Sequence, residues 1–208
     1  MNDVFLQRFC SPKLRESRVG EFFKDITDKG LFEQIQGRKQ IHLEIGCGHG
    51  HWLTQYACEN PKQVFVGIDL NTKRIEKALS KARKHSTENL FFFKAEAWEF
   101  IRLMPSNFMI GNIFIMFPDP WPKKKHHKRR LIQDSFLDLL AEQSSSHSLL
   151  FFRTDDLAYF KWSKEKVSTS RNWRLIEKKI PFKHFSYFQD LLPCHQSFTA
   201  SVKNNFCL

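Results

Sequence analysis

From about Gln40 onward, short apolar runs alternate with longer amphipathic stretches, and each apolar run ends in polar, glycine or proline residues. That alternation is the mark of β-α-β units, which build a parallel sheet covered by helices. It predicts strands at Gln40 to Ile45, Gln63 to Ile68, Leu90 to Phe93, Asn112 to Phe117 and Leu149 to Arg153. Helical periodicity falls between them, at Trp52 to Glu59, Thr72 to His85, Trp98 to Leu103, Arg130 to Glu142 and Asp156 to Ser168, with Asn71 and Asp155 placed to cap. Trp173 to Ile176 and Ser197 to Val202 are candidate strands ending the sheet. The expected architecture is α/β, a mostly parallel central sheet with helices on both faces, in one domain over residues 1–208. Residues 1–39 form a helical, basic segment packed on or flanking that domain, with Phe22, Phe23, Leu31 and Phe32 spaced to meet a sheet edge.

A chain of 208 residues has room for one full-sized core, and 41% hydrophobic against 26% charged residues is ordinary for a globular protein. Lys and Arg outnumber Asp and Glu by 33 to 22, a formal net charge of +11. Such an excess attracts polyanions, so nucleic acid is the first partner to consider; the competing reading is charge kept for solubility. The five cysteines, Cys10, Cys47, Cys58, Cys194 and Cys207, are scattered without metal-ligand spacing and read as reduced thiols. Asp3 lies in an N-terminus without a long apolar run, and no stretch approaches the ~18 apolar residues of a membrane span, which makes the cytoplasm the default compartment.

Glu44-Ile45-Gly46-Cys47-Gly48-His49-Gly50 closes the first strand directly before an amphipathic helix. Three glycines at alternate positions permit a sharp turn and let a ligand lie against bare backbone. The G-x-G-x-G spacing differs from the dinucleotide G-x-G-x-x-G, whose helix N-terminus receives a pyrophosphate. S-adenosylmethionine carries no phosphate and is cationic, so Glu44 is placed for its amino or sulfonium side, with Gly46 and Gly48 against the ligand. Asp69 ends the second strand, where a carboxylate accepts ribose hydroxyls, and Glu96 follows the third, where one meets the adenine amine. A nicotinamide cofactor and a plain tight turn are the competing readings.

After the fourth strand comes Phe117-Pro118-Asp119-Pro120-Trp121-Pro122-Lys123-Lys124-Lys125-His126-His127-Lys128-Arg129-Arg130. This is the carboxyl edge at which open α/β sheets bind substrates, and the three prolines stiffen the loop that presents Asp119 and Trp121. The run from Lys123 to Arg130 is expected to begin a helix and to track a phosphate backbone, the alternative being a solvated face. Trp121 either stacks on a base or wedges the loop onto the core. His126 and His127 read as phosphate or solvent contacts, with no metal expected.

These strings, with Leu43-Glu44-Ile45-Gly46 upstream, resemble the tRNA (guanine-N7-)-methyltransferases over roughly Leu43 to Asp155. The resemblance implies a Rossmann-like S-adenosylmethionine-dependent methyltransferase fold and N7 of a guanine in the tRNA variable loop as acceptor. By position it assigns Glu44, Asp69, Glu96 and Asp119 to the cofactor side, Asp119 also to catalysis, and Lys123 and Asp155 to substrate. The family usually has Glu where Asp69 stands and Asp where Glu96 stands; charge is kept at both. The family's Thr-x-Phe-Glu motif, which holds the guanine, has its nearest counterpart in Ser186-Tyr187-Phe188-Gln189. Ser186 and Gln189 then either bind the base more weakly, since Gln189 offers one carbonyl and a competing donor, or sit in a buried aromatic patch.

Two further readings remain in play: a methyltransferase for another RNA, a protein or a small molecule, and a degenerate RNA-binding relative without turnover. The partner expected is tRNA, without a membrane, and a monomer and a homodimer are equally compatible with the sequence.

Overall fold

A computed structural model describes residues 12–32, 34–35, 37–178, 181 and 194–203. Ser186 and Gln189 lie outside the described residues, as do Cys10 and Cys207. The chain forms two compact units, residues 1–109 and 110–208.

In the first unit, helix α1 (Pro12–Thr27) precedes a two-residue strand β1 (Gln34–Ile35) and strand β2 (Arg38–Ile45). Then alternate α2 (His51–Glu59), β3 (Phe65–Asp69), α3 (Thr72–Lys84), β4 (Leu90–Lys94) and α4 (Ala97–Arg102). Strands β2, β3 and β4 pair in parallel, Ile45 beside Ile68 and Asp69 beside Lys94, while β1 runs antiparallel to β2. Every residue of β3 is buried, as a strand covered on both faces requires, whereas β4 alternates buried and half-buried positions. The N-terminal aromatic residues meet the sheet as expected: Phe22 lies 4.6 Å from Phe93 on β4, and Phe23, 1% exposed, lies 4.6 Å from Phe108.

The second unit holds most of β5 (Phe108–Met116), a 3-10 helix (Lys124–Arg129), α5 (Asp134–Glu142), β6 (Leu149–Thr154), α6 (Leu157–Thr169), β7 (Trp173–Ile176) and β8 (Gln196–Val202). Its strand order is β5-β6-β8-β7, with β5 and β6 parallel and the other two pairings antiparallel. Both C-terminal strands expected from sequence are therefore present. No helix among the described residues is long and apolar enough to cross a membrane.

Two local expectations need correction. Helix α5 starts at Asp134 and not at Arg130, because the basic run closes on itself as a 3-10 helix and Gln133 is extended. The cap of α6 is Asp156, whose carboxylate accepts the Tyr159 N–H at 2.6 Å, and Asp155 stays exposed. Asn71 caps α3 as expected, accepting from the Arg74 N–H at 3.3 Å.

The glycines of the turn divide by what surrounds them. A Cβ on Gly50, whose φ is +66°, would lie 2.5 Å from Phe92 Cζ and 3.0 Å from Ala78 Cβ. Gly46 and Gly48 also have positive φ, but none of the described residues lies within 4 Å of a Cβ there. Gly50 is thus a packing residue, and the other two are open as far as the described residues go. Gly50→Ala should destabilise by about 1–3 kcal/mol through overpacking and left-handed strain, lowering Tm by roughly 2–4 °C per kcal/mol. Gly48→Ala should cost less in thermal unfolding, because it lacks the clash.

Candidate functional site

In the first unit the carboxyl ends of β2 and β3 bring Glu44, Gly46, Gly48 and Asp69 together. Asp69 Oδ2 accepts the Gly48 N–H at 3.0 Å and Oδ1 accepts the Asn71 N–H at 2.8 Å, so one carboxylate ties the glycine turn to the cap of α3. The turn is also fixed by the Gly46 and Cys47 N–H groups, which donate to the Ile68 carbonyl at 2.8 and 3.0 Å. Each Asp69 oxygen has a second lone pair, so acceptor capacity for a diol is retained. Arg74 stands 3.6 Å from Oδ2, half exposed, where an ion pair contributes little.

Glu44 is 4% exposed, and its Oε2 has no hydrogen-bond partner among the described residues. Burial, with the Asp69 charge adding, pushes its carboxyl up to about 8. A buried carboxylate with an unmet acceptor, beside two glycines that border open space, fits the cationic methionine end of S-adenosylmethionine. Cys47 between those glycines is 7% exposed, and burial, then Glu44 and Asp69, push its thiol well up, so it is no nucleophile at neutral pH.

Glu96 follows β4 as expected, but one of its oxygens is engaged. Oε2 accepts the Glu99 N–H at 3.0 Å and caps α4, leaving Oε1 for other donors. Glu96 lies two residues past β4, and its capping role is not legible in the sequence, because Glu is not among the side chains favoured at a helix N-cap.

In the second unit, Asp119 and Lys123 share the loop after β5, both exposed, and Asp155 follows β6. Two non-glycine residues with left-handed φ bracket Asp119: Phe117 at 51° and Trp121 at 46°. Such conformations persist only where the surroundings enforce them, and they gather at functional loops. Phe117 is held through its N–H, which donates to the Arg153 carbonyl at 2.8 Å. Arg153 is itself 8% exposed, donates from Nε to Ser197 Oγ at 2.9 Å, and burial lowers its guanidinium to about 10.

The other end of the loop is held by a residue that the basic run disguises. Arg130, expected to track phosphates, is 3% exposed. Its Nε donates to the Pro120 carbonyl at 2.8 Å, and its guanidinium lies over the Tyr159 ring at 5.0 Å and the Trp162 ring at 5.3 Å. The same two side chains fix Ile132, two residues further on: its N–H donates to the Tyr159 hydroxyl at 3.2 Å, and Trp162 Nε1 donates to its carbonyl at 3.0 Å. Tyr159 and Trp162 lie one turn apart on α6, the spacing that would have paired them, but nothing in the sequence joined them to Arg130.

Lys124, Lys125, Lys128 and Arg129 stay exposed on the 3-10 helix. Trp121 packs within its own loop, with Arg129 5.0 Å from its ring centroid and His126 edge-on at 5.8 Å.

Residues 38–184 match a family model described as "Putative methyltransferase". The chain is 35% identical over 158 residues to a tRNA (guanine-N(7)-)-methyltransferase of Mesoplasma florum, covering 72% of this chain and 70% of that one. It is 32% identical over 156 residues to the protein of the same name from Prochlorococcus marinus strain MIT 9215, covering 74% and 73%. Among solved structures, PKMT2 from Rickettsia typhi in complex with AdoHcy superposes with a TM-score of 0.53 at 15% identity, over 85% of this chain and 51% of that one. With that Rossmann-like methyltransferase fold, and with identity of this level over most of its length, the chain belongs to the tRNA (guanine-N(7)-)-methyltransferase family.

Proposed function

We propose that the protein, acting in the cytoplasm, transfers the methyl group of S-adenosylmethionine to N7 of a guanine in the variable loop of tRNA. The observation that carries the donor is the buried Glu44 oxygen beside Gly46 and Gly48, which has no hydrogen-bond partner among the described residues. Glu44 would face the methionine end, Asp69 the ribose hydroxyls and Glu96 the adenine amine through its remaining oxygen. The acceptor is supported by family membership and by a net charge of +11, with exposed lysines in the loop after β5.

Guanine N7 offers an in-plane lone pair and carries no proton. Its attack forms the N–C bond as the methyl–sulfur bond breaks, a neutral thioether leaves, and no general base is required. The chain's task is therefore alignment, whose gain is proximity and orientation. Positive charge moves onto the purine, where a fixed carboxylate such as Asp119 stabilises it. The left-handed residues on either side and the Arg130 bond to Pro120 support that reading, because they hold the loop in one conformation. Lys123 and Asp155 would contact the tRNA.

The reading is tested by transfer of labelled methyl to unmodified tRNA, then borohydride and aniline, which cleave the strand at N7-methylguanine. Cleavage in the variable loop is the expected result; label without cleavage moves the acceptor atom, and no label removes tRNA as substrate. Asp119→Ala should lower turnover by roughly 10²–10³-fold with little change in S-adenosylmethionine affinity. Equal losses in both would make Asp119 a cofactor ligand only.

Glu44 also predicts a stability profile. Its folded value of about 8 lies above its ordinary 4.5, so the folded state binds the proton more tightly and loses stability as pH rises from 4.5 to 8. Buried His42 on the same strand works the other way, since burial lowers it from 6.5 to about 4 and its effect falls below pH 6.5. Between pH 6.5 and 8 Glu44 stands alone of these two. Denaturant unfolding of the unliganded protein should show stability falling in that window, Glu44→Gln should flatten it, and the same variant should bind S-adenosylmethionine more weakly.

A further inference from the structure

A second group of cations stands on the first unit, outside the residues used above. Lys77, Ser80, Lys81 and Lys84 on α3 follow the i, i+3, i+4, i+7 spacing of one helix face. They line a groove of about 340 Å³ with His49 of the glycine turn and His51, the first residue of α2. None of the six lining residues is acidic.

An ordinary solvated lysine face lets its charges spread into water. Here Lys81 is half-buried, and its Nζ lies 2.5 Å from His51 Nδ1. An ammonium only donates, so Nδ1 accepts and the His51 ring proton sits on Nε2. The cations also act on one another. Burial first, then Lys77, Arg74 and Lys81, hold His49 below its ordinary range against an opposing pull from Asp69. Burial, then Lys81 and His49, do the same to His51, and burial and Lys84 lower Lys81. An anion in the groove would relieve this repulsion and accept charge-assisted bonds from ammonium, imidazole and the Ser80 hydroxyl.

We propose that this groove, built from His49, His51, Lys77, Ser80, Lys81 and Lys84, is a phosphate subsite that receives a backbone phosphodiester of the RNA substrate. The choice of RNA rests on the function proposed above; a free phosphate ion would meet the same donors. The subsite positions RNA and reads no base.

The test measures binding of unmodified tRNA to the full-length protein across a salt series, for wild type, K77A/K84A and K62A. Lys77, Lys84 and Lys62 are exposed, and Lys62 removes charge in the turn before β3, at the amino end of the strands. K77A/K84A should weaken binding several-fold and lower the log–log salt slope by about 1, as loss of roughly one phosphate contact requires. K62A should leave the slope unchanged, and S-adenosylhomocysteine affinity should be the same in all three proteins. An unchanged slope for K77A/K84A overturns the subsite, as does an equal fall for K62A, which would mean that only net charge counts. Inorganic phosphate titrated against the His49 and His51 ring resonances separates the sources: shifts at millimolar phosphate with an unchanged tRNA slope overturn RNA in favour of a free anion. Failure of the proposed function appears separately, as absent methyl transfer by the wild type, while the groove is judged on binding.

Discussion

The first unit depends on the Asp69 carboxylate, which accepts the N–H of Gly48 on one side and of Asn71 on the other. Both donors sit in loops that leave carboxyl ends of the sheet, where backbone N–H groups have no strand partner and must be satisfied otherwise. By holding both, Asp69 fixes the path of the glycine turn, and with it the open faces of Gly46 and Gly48. The arrangement leaves Glu44 buried next to a second carboxylate, unfavourable for the empty protein and useful for a cationic ligand.

The second unit solves a related problem with a cation. The loop carrying Asp119 contains prolines, which remove N–H donors, and two left-handed residues, which carry strain. Few backbone bonds are left to hold such a segment, so a side chain does it. Arg130 reaches the Pro120 carbonyl from a buried position over two aromatic rings, where its guanidinium is retained by cation–π attraction. A lysine would not supply both the planar stacking and the directed Nε bond. One basic residue of a run thus acts as a structural anchor, while Lys124, Lys125, Lys128 and Arg129 remain at the surface.

The sequence by itself determined the strand and helix order, since continuous apolar runs and helical periodicity are local signals that burial enforces. It also placed Glu44 and Asp69 at the ends of their strands and the glycines and Asp119 in the turns that follow, because glycine spacing and prolines constrain the backbone within a few residues. The cap at Asn71 was legible for the same reason, whereas Asp155 and Asp156 are adjacent and of one residue type, and it is Asp156 that accepts the Tyr159 N–H. What tertiary structure decided were the roles that depend on residues distant in sequence. Gly50 is distinguished from Gly48 by Phe92 on another strand, Arg130 from its basic neighbours by Tyr159 and Trp162, and the groove at His51 exists only because α3 brings Lys81 to it. Local pattern reports what a segment can form, but desolvation and long-range contact decide which of several like residues is buried, and that decides what it does.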